Sequence, residues 1–191
     1  MKPTLKLQVI EKREKLTKQE VKEKSRKIID NLRSLKEFQS AKNILFYVSF
    51  NKEVNTQELI KELLGKKEKT VVVPYLIKNY PILQLSELKN FDELEEKSFG
   101  IMEPREFYIR EFSIDRLDLV ILPGIVFDKE GYRIGFGHGY YDRFLKKLKK
   151  NVKKIGLAFE VQIVDNIPEE KHDVPVDVVV TEKGVIRCND K

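Results

Sequence analysis

Apolar runs at residues 43–49 (NILFYVS), 69–75 (KTVVVPY), 117–122 (LDLVIL), 152–159 (VKKIGLAF) and 176–181 (VDVVVT) set the terms on which this chain can fold. The Leu, Val and Ile of 117–122 suit a strand buried on both faces of a parallel sheet, and the other four read as further strands of the same core. Between the first two, Leu59, Ile60, Leu63 and Leu64 recur at helical spacing behind a Thr56 cap and ahead of a stop at Gly65. Strand, helix, strand in that order is the signature of a parallel sheet with helices on its faces. The chain has 191 residues, 41% of them hydrophobic, enough to fill one core and too few for two comfortable ones. The expected fold is therefore α/β: a three-layer α/β/α single domain over residues 1–191 with a central, mostly parallel sheet.

The remaining segments are read in the same way. Thr17 and Glu20 form a capping box, so one helix is predicted to end near Lys15 and another to begin at Lys18. Val21, Ser25, Ile28, Ile29, Leu32 and Leu35 make one apolar stripe on the second. Residues 81–85 read as a short strand paired antiparallel with 69–75 across a turn at 77–80, and 182–184 turn the chain into a short last strand. Residues 88–114 are the least patterned. No run approaches bilayer length and residues 1–8 lack a signal-peptide core, so the expected setting is cytoplasmic, with no membrane partner. A lone Cys188 cannot form an internal disulfide, which agrees with a reducing compartment and a passive thiol. The balance of 37 Lys and Arg against 31 Asp and Glu leaves +6, attractive to nucleotides, polyglutamate tails and nucleic acid alike.

The stretch after the third run, LPGIVFDKEGYRIGFGHGYYDRFL at 122–145, holds Gly131, Gly135, Gly137 and Gly139, four of the nine glycines. It leaves the carboxyl end of a central strand, where ligands sit in open α/β sheets. Glycine permits positive φ and close approach, so alternating Gly135, Gly137 and Gly139 can turn successive N–H groups toward one point as an anion nest. Tyr141, Phe144, Leu145 and Leu148 have helical spacing, so residues 140–150 are predicted to add a helix N-terminus. Arg133 brings a permanent cation and Asp142 a hard oxygen ligand suited to Mg²⁺. Together these read as a site for a polyphosphate and its metal. A glycine-rich loop also serves simply to turn the chain, and this one is neither a Walker A loop nor a Rossmann fingerprint.

The full string is more specific than its glycines. Leu122-Pro123-Gly124, Phe127-Asp128, Gly131, Arg133 and the run from Gly135 through Tyr140, Tyr141, Asp142 and Arg143 closely resemble the signature of the 5-formyltetrahydrofolate cyclo-ligases, also called methenyltetrahydrofolate synthetases. The resemblance extends from Lys2 to Asp177 and implies a site. ATP would be bound by Lys2, Lys6, Arg133, Ile134, Gly135, Phe136, Gly137, His138, Gly139, Tyr140 and Tyr141. Glu53, Phe50 and Tyr140 would bind the folate, and Asp142 and Asp173 the Mg²⁺. No residue is implied as a covalent nucleophile or an acid/base catalyst. His138 and Phe136 stand where relatives carry other residues, which leaves open how this loop tunes its contacts. Glu53 alone could equally be an exposed loop acid. The loops at 49–56 and 123–141 both leave carboxyl ends of strands, however, so they can face each other across one crevice. His172 beside Asp173, Glu169 and Glu170 lacks any second metal-ligand motif, so zinc is not expected.

The resemblance also implies a reaction. A formyl group on a tetrahydrofolate nitrogen is an amide whose oxygen leaves poorly; phosphorylation by ATP would turn that oxygen into a leaving group. The neighbouring nitrogen then closes the ring to 5,10-methenyltetrahydrofolate, with ADP and phosphate released. Such chemistry asks chiefly for positioning and charge neutralisation. The implied partners are ATP and 5-formyltetrahydrofolate, with or without a polyglutamate tail, acting on a monomer. Two rivals remain: a sugar-phosphate isomerase that uses the same nest without ATP, and a nucleic-acid module suggested by a pI of 9.2 and by Lys146, Lys147, Lys149 and Lys150. That cluster ends a predicted helix, where the dipole favours lysine anyway, and no nucleic-acid motif accompanies it.

Overall fold

The computed structural model describes residues 2–97, 100–170 and 172–188. In chain order its elements are α1 (Lys2–Glu14), α2 (Lys18–Ser34), α3 (Lys36–Ser40), β1 (Asn43–Leu45), α4 (Gln57–Lys66), β2 (Thr70–Tyr75), β3 (Gln84–Leu88), β4 (Leu94–Glu96), β5 (Met102–Pro104) and β6 (Leu119–Leu122). Then come β7 (Val126–Asp128), β8 (Arg133–Ile134), α5 (Tyr140–Leu145), β9 (Lys153–Leu157), β10 (Ile163–Val164), β11 (Val178–Thr181) and β12 (Gly184–Arg187).

Seven strands form one sheet in the order β12-β11-β9-β6-β1-β2-β3. The inner strands β11, β9, β6, β1 and β2 run parallel, and β12 and β3 close the edges antiparallel. Side chains alternate between two cores, as strand geometry requires. Ile44, Val71, Leu119, Ile121, Ile155 and Val178 face α2, α3 and α4, while Leu45, Val72, Val120, Leu122 and Val179 face α5 and irregular segments. Burial on both sides explains the near-continuous apolar runs. The chain leaves β1 for β2 and leaves β6 for β9 on the opposite side, so the direction of winding reverses between β1 and β6. The loops that follow these two neighbours bound a crevice at a topological switch point.

Several boundaries differ from the sequence reading. The strand expected at 43–49 keeps ladder geometry only to Leu45, with one more bond from Phe46 N to Val72 O at 2.9 Å. Beyond it the buried Thr56 side chain takes over, donating to Tyr47 O at 2.7 Å and accepting from Ser49 N at 3.1 Å. Thr56 is thereby spent on the loop and does not cap α4; the Asn55 side chain accepts from Gln57 N instead, at 2.9 Å. Nor does Gly65 end that helix, which closes on Lys67 in a left-handed conformation (φ 56°). The helix expected at 140–150 stops at Leu145, and its like-charged lysines fall in the turns that follow, in keeping with the repulsion between like charges one helical turn apart.

A second, small sheet was not expected, because strands of two or three residues cannot display an alternation. It runs β10-β7-β8, and α1 lies over it through Val9, packed with Ile125, Val126, Ile134 and Ile167. The fully buried Asp128 ties this layer together, accepting from Glu130 N at 3.1 Å, Tyr132 N at 2.9 Å and Ile167 N at 2.9 Å. No helix among the described residues is long and apolar enough to cross a membrane. Cys188 is buried, and burial pushes its thiol up to about 11, as befits a passive side chain.

Two glycines make opposite predictions. A Cβ at Gly131 (φ 91°) would stand 2.4 Å from Val176 O, so Gly131→Ala should cost at least about 2 kcal/mol in urea denaturation. At Gly65 nothing lies within 4 Å, and Gly65→Ala should stabilise by up to about 1 kcal/mol. Similar midpoints for the two variants would contradict this account of the backbone.

Candidate active site

The loop after β1 turns a carboxylate inward. Glu53 is only 7% exposed, and its Oε2 accepts from Phe50 N at 3.1 Å. Burial pushes its carboxyl up to about 7, against the weaker opposite pull of the Phe50 N–H and the charge of Arg13. Glu53 is thus no exposed loop acid. Burial also raises the phenols of Tyr47 and Tyr141, and the charge of Glu53 adds to both shifts, so each stays a proton donor. Tyr47 uses its hydroxyl on Val54 O at 2.9 Å, which braces the loop.

The loop after β8 supplies the facing wall. Gly137 and Gly139 take φ of 109° and 66°, while Gly135 does not enter the left-handed region, so the expected alternation of backbone hand is present at two of the three glycines. Space beside Gly135 and Gly137 is open. Arg143 staples the loop by donating to His138 O at 2.8 Å and to Pro81 O at 2.7 Å, and it lies 5.2 Å from the Tyr140 ring. Lys6, on α1, donates to Phe136 O at 3.0 Å. The Phe136 ring lies 5.7 Å from that of Phe50, so the two loops do meet. Ile134 packs into the small core under α1, so its side chain turns away from the loop, and Tyr140 and Tyr141 pack partly against the core beneath the sheet.

Charge is gathered beside this wall. Arg133, whose side chain is 5% exposed, donates to Asp142 Oδ1 at 3.1 Å and to Val174 O at 3.0 Å. Lys2 donates to Asp173 Oδ2 at 2.6 Å and pairs with Glu170 at 3.1 Å. Burial is the largest influence on the Asp173 carboxyl and would raise it, but the Lys2 hydrogen bond, the Glu170 N–H and the neighbouring positive charge together hold the group below its ordinary value; at Lys2 the bonds and charges of Asp173 and Glu170 together likewise outweigh burial and raise the ammonium. Asp142 Oδ1 accepts from Val174 N at 3.5 Å, one residue from Asp173, and each carboxylate lies beside its own cation. Among the described residues no group of three or more His, Cys, Asp or Glu could hold a metal alone. A pair of carboxylates still fits Mg²⁺, which completes its shell with phosphate oxygens and water. Among the described residues His172 reaches Glu170 and Asp173, at 3.2 and 3.8 Å.

Between the two loops lies a cavity of about 390 Å³ lined by Arg13, Glu14, Phe50, Asn51, Lys52, Glu53 and Phe136. Arg13 and Arg143 escaped the sequence reading. Arg13 had a legible signal, because Leu5, Val9, Arg13 and Leu16 recur on one helical face and so place a cation on a buried stripe. Arg143 had none beyond its place in the motif. In the basic cluster, Lys149 is turned back onto Asp115 O at 3.0 Å.

Fold and site first define a class: an α/β protein that sets a glycine-lined, cation-rich wall against an aromatic cavity with a carboxylate at its floor. Over residues 1–182 the chain matches the 5-formyltetrahydrofolate cyclo-ligase family, and it belongs to that family. It is 34% identical to the 5-formyltetrahydrofolate cyclo-ligase of Haemophilus influenzae over 184 residues, covering 85% of this chain and 97% of the relative. Identity to the Mus musculus 5-formyltetrahydrofolate cyclo-ligase is also 34%, over 76% of each chain. The NMR structure of Aquifex aeolicus 5,10-methenyltetrahydrofolate synthetase superposes with a TM-score of 0.86 at 38% identity, covering 100% of this chain and 94% of that one. The protein is accordingly a ligase of folate one-carbon metabolism.

The buried carboxylate has a measurable consequence. A folded-state value of about 7 against an ordinary 4.5 means that the native form binds more protons between those limits, so stability falls as pH rises through the window and levels off above it. Glu53→Gln should flatten that slope and gain up to about 3 kcal/mol over the parent above pH 7. Urea denaturation from about pH 5 to about pH 8 measures both; parallel slopes for parent and variant would show that Glu53 does not titrate in this way.

Proposed function

We propose that the crevice binds ATP with Mg²⁺ on its glycine side and 5-formyltetrahydrofolate on its Glu53 side. It would convert the folate to 5,10-methenyltetrahydrofolate with release of ADP and phosphate. The observation that carries this reading is the Phe50–Phe136 contact at 5.7 Å, which sets the loop bearing Glu53 and the glycine loop on one cavity. The setting is a cytoplasmic monomer in one domain, acting on these small molecules and not on nucleic acid.

Positioning does most of the work. Lys2, Lys6, Arg133 and the N–H groups around Gly137 and Gly139 face the phosphates, where they offset the charge that builds during transfer. Asp142 and Asp173 would hold Mg²⁺, which supplies further neutralisation on the phosphate oxygens. Glu53 accepts from the N–H donors of the pterin and so fixes the formyl oxygen in line with the terminal phosphate. That oxygen takes the phosphoryl group as the bond to ADP breaks. The neighbouring folate nitrogen attacks the activated carbon, loses its proton, and expels phosphate with the C–O bonding pair. Phe50 and Phe136 keep water from the activated carbon. The experiment that tests the whole reading follows absorbance of the methenyl product while ATP or Mg²⁺ is omitted: omission of either should abolish product, and formation without ATP would refute it.

Two substitutions divide the site. Asp142→Asn should raise the Mg²⁺ concentration needed for half-maximal rate and lower activity by about tenfold or more, since an amide is a weaker ligand for a hard cation. An unchanged Mg²⁺ requirement in a folded variant would remove Asp142 from the metal. Glu53→Gln should raise KM for 5-formyltetrahydrofolate by about 10–100-fold, the worth of a charged hydrogen bond, and leave KM for ATP nearly untouched. Steady-state kinetics in each substrate decide it, and a parallel rise in both constants would place Glu53 outside the folate side.

A further inference from the structure

Arg13 has no part in the reaction as described, yet α1 drives it into the crevice. It is 6% exposed, on the face that carries Val9 into the small core. Its Nε is buried without a hydrogen-bond partner, and no ion pair neutralises the guanidinium among the described residues. Glu53 is near enough to feel its charge but is not bonded to it; the Glu53 carboxylate accepts from Phe50 N instead. Arg13 and Glu53 line the same cavity as the Phe50 and Phe136 rings. A guanidinium is permanently charged and only donates hydrogen bonds, and burying one unpaired is costly. Such a group on a cavity wall suits an acceptor oxygen brought by a ligand.

The neighbours narrow the choice of oxygen. On the nucleotide side the phosphates already have Lys2, Lys6 and Arg133. At the cavity rim Lys52 pairs with Glu14 at 3.5 Å, on side chains 31% and 53% exposed, and this is where a flexible glutamate tail would meet solvent. The cavity lining offers one donor-only group, Arg13, and one acceptor, Glu53, near enough for the charge of the first to act on the second, together with the Phe50 and Phe136 rings. A cyclic amide edge, with its C=O next to its N–H, is complementary to that pair, and the pterin ring carries one: the 4-oxo oxygen beside N3–H and the 2-amino group.

We propose that Arg13 is a specificity-determining residue of the folate side, its guanidinium donating to the 4-oxo oxygen of the pterin while Glu53 accepts from the adjacent N–H groups. The inference rests on the folate assignment made above. It implies that the site selects the lactam form of the ring: a 4-amino group would present a donor to a donor.

Calorimetric titration of 5-formyltetrahydrofolate and of its 4-amino analogue tests this without turnover. The parent protein should favour the 4-oxo ligand by about 10–100-fold. Arg13→Met should bring the two Kd values within about threefold, chiefly by weakening the 4-oxo ligand, with the Kd for ATP unchanged. If Arg13→Met does not fold, Arg13→Gln serves, because its amide can face either substituent and should also collapse the ratio. A ratio that survives substitution, with both ligands weakened alike, would overturn the proposal and leave Arg13 a structural residue or a reader of the benzoylglutamate portion. Should the parent bind neither ligand, the folate assignment itself fails, an outcome distinct from a preserved ratio.

Discussion

The reversal of winding between β1 and β6 is the constraint on which the rest of the molecule depends. Two parallel neighbours whose chains depart in opposite directions leave a gap at their carboxyl ends that no crossover can fill. One loop lowers Glu53 into that gap, and the other brings the glycine-rich segment across from it. Neither loop could form the site alone. Ring contact between Phe50 and Phe136 spans a gap of more than eighty positions in sequence, and only the sheet order makes it possible.

Placing the charged groups is the task of the small sheet. Three backbone N–H groups converge on the buried Asp128 carboxylate, fixing the β7–β8 hairpin and the segment that leads toward Asp173 in one frame. Arg133 and Asp142 then pair across it, and Lys2 closes on Asp173 from α1. Of the cations that would meet phosphate, Lys2 and Arg133 are each held by a carboxylate, and Lys6 by the Phe136 carbonyl. Such pairs contribute little net stability, because desolvation offsets their attraction, but they limit the rotamer freedom that binding would otherwise have to remove.

The sheet was legible in the sequence because strands buried on both faces must be almost wholly Val, Ile and Leu, and such runs have few other uses in a chain of this charge. The antiparallel partner of β2 was legible too, although it runs Gln84–Leu88 and not 81–85 because the connection extends past the expected turn, as was the Thr17 capping box, which α2 displays in full. What escaped was whatever depends on long-range partners. The small sheet has strands too short to carry a period. Thr56 is a cap by composition but was captured by Tyr47 and Ser49, an outcome that only the loop's path decides. Glu53 was marked by the family pattern, whereas its burial is invisible to composition, which places carboxylates outside. The nucleotide wall was readable as a string, but its cohesion through Arg143 and Lys6 was not.

Central to the account is a direct bond between the terminal phosphate of ATP and the formyl oxygen, made where the two loops meet. The most direct measurement follows the fate of that oxygen. With 5-formyltetrahydrofolate isotopically labelled at the formyl oxygen, the account predicts that the label leaves in inorganic phosphate, one labelled phosphate for each ring closed. Label released into water, with phosphate unlabelled, would contradict it.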